Sequence, residues 1–106
     1  MLSKICELSK LSETQPERFD IEGRALMVTK MAEMVLVTDV LCTHEEADLS
    51  MGILSETVIT CPLHQAKFDL KNGTVLDGPN GTDPDTIPSL KTYSVVVRDG
   101  EVWADI

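Results

Sequence analysis

Two short segments constrain this 106-residue chain more than any others: Cys42-Thr43-His44 and Cys61-Pro62-Leu63-His64, a C-x-H and a C-x-x-H with 16 residues between them. Each offers one soft thiolate and one borderline imidazole, so two loops that meet would present sulfur and nitrogen to a single metal centre. The stretch between them has the length of a β-hairpin insertion. A lone histidine is more often a surface or satisfied core residue than a ligand. The pairing outweighs that reading: three Cys and two His scattered at random would place each His two or three positions after a Cys roughly a few times in a thousand. Cys6 has no such neighbour and reads as a small buried hydrophobe.

The rest of the chain says what scaffold carries these loops. Its length suits one domain, which buries roughly two-thirds of its unfolded surface. Ten Val and ten Thr against four aromatic residues, with turn residues at short intervals, point to many short strands and little helix. We therefore expect an all-β domain with strands at 4–7, 18–22, 25–30, 34–39, 57–60, 92–98 and 101–105. Glu22-Gly23 and Asp99-Gly100 read as turns, the latter as a two-residue hairpin. The 77–90 stretch, DGPNGTDPDTIPSL, holds three Pro, two Gly and three Asp and reads as an ordered surface loop. Its carboxylates do not fall at EF-hand spacing.

Charge and compartment narrow the function. The net charge of -9 argues against nucleic-acid or anionic-membrane partners and favours an electropositive protein. Residues 31–66 carry six acids (Glu33, Asp39, Glu45, Glu46, Asp48, Glu56) and no Lys or Arg, so -6 of the -9 lies on the stretch that holds all four candidate ligands. No apolar run approaches the ~20 residues of a membrane span, and Lys4, Glu7 and Lys10 interrupt the start where a signal peptide would be apolar. A cytoplasmic setting follows, where clustered cysteines serve as ligands or nucleophiles rather than structural bridges.

The donor set discriminates among metals. A Cys2His2 zinc finger keeps both Cys on a hairpin and both His on a helix, whereas here each loop is mixed. A di-iron cluster with two Cys on one iron and two His on the other needs two thiolates and two imidazoles, the set this chain offers. At this point the sequence resembles the Rieske [2Fe–2S] family, through C-x-H and C-x-x-H and also through Gly52, Phe68-Asp69, Gly73 and Gly78-Pro79. The resemblance implies a Rieske-like antiparallel β-sandwich or barrel: a single domain over 1–106, with a cluster-binding subdomain of two loops at about 40–79 set into a base formed by 1–39 and 80–106. It implies one [2Fe–2S] cluster, with Cys42 and Cys61 on one iron, His44 and His64 on the solvent-facing iron, and Pro79 in a loop covering the third side. Leu63 and Ala47 stand where respiratory-complex members have a disulfide. Ala66 and Phe68 stand where those members have a Ser and a Tyr that donate hydrogen bonds to the centre. Losing such donors lowers the potential, as does the local negative charge.

These residues admit four functions. A one-electron carrier, a Rieske-type ferredoxin taking electrons from a reductase to an oxygenase or similar acceptor and acting as a monomer, needs no substrate pocket. A catalytic oxygenase fragment needs a further iron held by two His and a carboxylate, and both His are already committed. The alternatives are a zinc-stabilised interaction module and a small cluster-bearing subunit of a larger redox enzyme. Glu45 and Glu46 adjoin His44 and are the expected docking residues for a basic redox partner.

Overall fold

The computed structural model describes residues 1–31, 34–45 and 47–106. These form eleven strands and four three-residue 3-10 turns, and no helix among the described residues is long and apolar enough to cross a membrane. The strands are β1 (Leu2–Glu7), β2 (Glu17–Ile21), β3 (Arg24–Met31), β4 (Met34–Asp39), β5 (Ile53–Ser55), β6 (Val58–Thr60), β7 (Lys67–Asp69), β8 (Val75–Asp77), β9 (Thr92–Tyr93), β10 (Val95–Arg98) and β11 (Glu101–Asp105). They make three antiparallel sheets, ordered β1-β11-β10, β2-β3-β4-β9 and β5-β6-β7-β8. The all-β, antiparallel reading of the sequence holds.

Side-chain alternation on β3 explains how the sheets stack. Successive residues of a strand face opposite sides. Leu26 and Val28 pack with Ile5, Cys6, Val37, Val102 and Ala104 in a core shared by the first two sheets. Met27, between them, packs instead with Ile59, Phe68 and Val75 of the third sheet, and with Val40, Cys42, Leu49, Cys61 and Leu70. The strand is thus buried on both faces and acts as a wall between two cores. Full burial of a side chain such as Phe68 contributes about 1.5–3 kcal/mol.

The third sheet is set between neighbouring strands of the second. Chain leaving β4 returns at β9, which pairs beside it with Thr38 opposite Thr92. This neck is stitched: the Asp39 N–H donates to the Lys91 carbonyl at 2.9 Å, and the Tyr93 hydroxyl donates to the Asp39 carboxylate at 2.6 Å. Arg24 donates to that hydroxyl at 2.5 Å, and the Arg24 and Lys91 cations lie 5.0 and 5.3 Å from the Tyr93 ring centre. Burial, reinforced by the Asp39 hydrogen bond and charge, pushes the Tyr93 phenol up to about 12.

Two details depart from expectation. Residues 92–98 form two strands, because the chain changes sheets at Ser94: β9 joins β4 while β10 joins β11. Strands β5, β7 and β8 were not expected, since three residues each are too few to display a period. Both expected turns are present, with positive φ at both central residues (Glu22 51°, Gly23 78°; Asp99 53°, Gly100 74°), the geometry that matches strand twist.

Candidate metal centre

The two ligand loops close in the same way. The Cys42 N–H donates to the Ala47 carbonyl at 2.9 Å and the Cys61 N–H to the Ala66 carbonyl at 2.8 Å, each five positions on. Each loop therefore curls back over its own cysteine and carries its histidine at the outer turn. The sequence supplies the means: Gln65 takes the positive φ (61°) the second turn requires, and Asp48 caps the turn after the first loop by accepting from the Ser50 N–H at 2.9 Å.

A third segment holds both loops. The Asn80 N–H donates to the His64 carbonyl at 2.6 Å, and the Thr43 hydroxyl donates to the Pro88 carbonyl at 2.7 Å. Pro79 is buried, and together with Asn80, Thr82, Thr86 and Ile87 it lines a cleft of about 390 Å³ that includes His44, Glu45 and His64. Apart from Pro79, these lining residues were not anticipated individually; the Pro- and Gly-dense composition of 77–90 was the available signal. A larger depression, about 1090 Å³, is lined by Met31, Met34, Leu54 and neighbours and contains none of the four candidate ligands.

Cys42 and Cys61 are free thiols, 4% and 2% exposed. Burial pushes the Cys42 thiol up, the adjacent Cys61 adds to this, and backbone N–H groups of His44 and Glu45 aimed at its sulfur oppose it. The His44 and His64 rings stand together, with centroids 5.1 Å apart and planes nearly perpendicular. About a third of each side chain is exposed. One nitrogen is anomalous: His64 Nδ1 is buried and has no hydrogen-bond partner. Buried polar atoms are nearly always paired, so this one calls for an explanation.

The Glu45 Oε1 atom lies 3.7 Å from His44 Nε2 and 3.8 Å from His64 Nδ1. Glu46 lies outside the described residues. Leu63 projects outward, 57% exposed, while Ala66 and Phe68 are buried at 1% and 0%. Neither side chain at 66 or 68 can donate a hydrogen bond, and the donors to the Cys42 sulfur are the backbone amides of His44 and Glu45.

Two adjacent buried thiols and two partly exposed imidazoles, one with an orphaned nitrogen, fit a metal group with a sulfur-bound end and a nitrogen-bound end. The arrangement is asymmetric in the sense such a group requires.

Comparison with known proteins agrees. Residues 1–102 match the family model described as Rieske [2Fe-2S] domain. The chain is 33% identical over 99 residues to the naphthalene 1,2-dioxygenase system ferredoxin component of Pseudomonas putida, covering 93% of this chain and 89% of that protein. It superimposes on the Sphingomonas yanoikuyae B1 ferredoxin with a TM-score of 0.88 at 32% identity, covering 100% of this chain and 99% of that one. A chain from a complex of reduced oxygenase and oxidised ferredoxin in carbazole 1,9a-dioxygenase matches with a TM-score of 0.81 at 31% identity, covering 97% and 91%. The chain belongs to the Rieske [2Fe–2S] domain family, whose cofactor is one [2Fe–2S] cluster.

Proposed function

We propose that this protein is a one-electron carrier, not an enzyme, in which Cys42 and Cys61 hold one iron of the cluster and His44 and His64 hold the other. The orphaned His64 Nδ1, together with the buried thiol pair, carries this assignment. When bound, the cluster supplies a one-electron redox couple. The chain's own residues do the rest: the core around Cys42 and Cys61 excludes water from the sulfur end, and the partly exposed imidazoles give electrons a short path to the surface.

Partner contact is assigned to the same face. Leu63 is exposed beside His64, and Met51 and Ile53, 74% and 72% exposed, share a depression with Pro62 and Gln65 of the second loop. Glu45 and Glu46 would steer an electropositive partner, a reductase as donor and an oxygenase as acceptor, the acceptor being in line with the dioxygenase-system ferredoxin and the oxygenase–ferredoxin complex among the relatives. The protein acts as a cytoplasmic monomer, with residues 40–79 as the cluster-binding subdomain and 1–39 with 80–106 as its base. The pairing of β4 with β9 across that segment supports the division.

The test is absorption and electron paramagnetic resonance of anaerobically purified protein. We expect a coloured protein with a reduced-state signal, lost in His64→Ala and kept in Cys6→Ala. Colourless, zinc-containing wild type, or loss of colour in Cys6→Ala, overturns the assignment.

A further inference from the structure

Glu45 sits where a carboxylate acts on the metal centre before any partner arrives. One oxygen, Oε1, approaches both candidate iron-binding imidazoles, at 3.7 and 3.8 Å, beyond hydrogen-bonding range. The interaction is through-space attraction or repulsion. Of the other described acids of the same stretch, Glu56 lies in the depression that holds none of the candidate ligands, and the remaining two are compensated. Asp48 pairs with Arg18 at 3.1 Å, and Asp39 accepts from Tyr93 with Arg24 on the same hydroxyl. Among the described residues no Lys or Arg pairs with Glu45, whose carboxylate faces the two imidazoles instead.

We infer that Glu45 sets the redox potential of the centre, its carboxylate charge between His44 and His64 disfavouring the electron that reduction adds. The inference rests on the ligand assignment above. Reduction takes one electron from an external donor and leaves the site one unit more negative, so a fixed negative charge a few ångströms from the imidazoles opposes it. Glu45 is about half exposed, which puts the effect toward the water-screened end of the range. Neutralising it should favour the reduced form by about threefold to tenfold, and tenfold is about 59 mV for one electron. Because the charge is solvent-facing, the difference should shrink as ionic strength rises. A residue that only shaped the loop would show no such salt dependence.

The experiment is voltammetry of cluster-loaded wild type, Glu45→Gln, Glu45→Ala and Glu17→Gln at low and high salt, with absorption spectra of each. Glu17 lies on β2 in the base and its variant makes the same change in net charge. We expect both Glu45 variants to shift upward by up to about 59 mV at low salt, converging on wild type at high salt, with Glu17→Gln near wild type throughout. Shifts no larger than that of Glu17→Gln, or shifts independent of salt, overturn the inference. So does failure of both Glu45 variants to take up a cluster, which would make the residue structural. A wild type that itself lacks the cluster spectrum would instead sink the ligand assignment.

Discussion

Replacing Gly73 by Ala should destabilise the protein through two separable causes. Gly73 has φ of +78°, where an L-residue costs ~1–2 kcal/mol. An added Cβ would also sit 1.9 Å from the Leu90 carbonyl oxygen and 3.0 Å from its carbon. Those are backbone atoms, so the chain must shift, at a further ~1–3 kcal/mol. Gly100→Ala isolates the first cause: φ is +74° and nothing lies within 4 Å of its Cβ position. The difference between the variants, ~1–3 kcal/mol, corresponds to roughly 4–24 °C in midpoint for a domain of about 100 residues. The displacement also reaches the metal centre. The Leu90 N–H donates to the Gly73 carbonyl at 2.8 Å, and two residues earlier Pro88 accepts from Thr43 in the first ligand loop. Thermal unfolding by circular dichroism at one scan rate, with the rate of visible bleaching alongside, measures both effects. We expect Gly73→Ala to melt lower and bleach faster than Gly100→Ala. Indistinguishable midpoints would refute the steric reasoning.

Three other outcomes follow from named residues. With Ala66 and Phe68 unable to donate to the centre and acids around it, the midpoint should lie in the lower part of the Rieske range; a value above about +100 mV contradicts this. Tyr93 and Cys6 are both raised, to about 12 and about 11, each mainly by burial, from ordinary values near 10 and 9. Folding is favoured by their neutral forms, so that contribution is complete below pH 9 and is lost as pH rises toward 11 for Cys6 and 12 for Tyr93. Tyr93→Phe should flatten the fall in urea midpoint between pH 10 and 12, and a curve parallel to wild type there would count against it. Reversing Glu45 and Glu46 to Lys should slow electron transfer with a basic partner and weaken its salt dependence; unchanged stopped-flow rates at both salt levels would remove them from docking.

What could be read from the sequence was local. The candidate ligand pattern stands out because each His lies two or three residues from its Cys, and the Asp99-Gly100 hairpin because its turn chemistry sits between alternating strands. The break at Ser94 was not legible, since valines at 95–97 continue the β pattern while the chain changes sheets. The covering loop at Gly78-Pro79 was expected through the resemblance, but the contacts that fix it were hidden for a related reason. Asn80 and Thr43 reach their partners through contacts distant in sequence, involving the carbonyls of His64 and Pro88, and such contacts leave no trace in residue type. Likewise the clustering of acids at 31–66 overstated the charge at the centre, because folding gives Asp48 an arginine from β2.

Mössbauer spectroscopy of the protein loaded with iron-57 tests the central claim most directly. Two thiolates on one iron and two imidazoles on the other make the irons inequivalent. The account requires two quadrupole doublets of equal area in the oxidised protein, collapsing to one sulfur-type environment or to no bound cluster in His64→Ala. A single doublet in the wild type, with both irons alike, would contradict it.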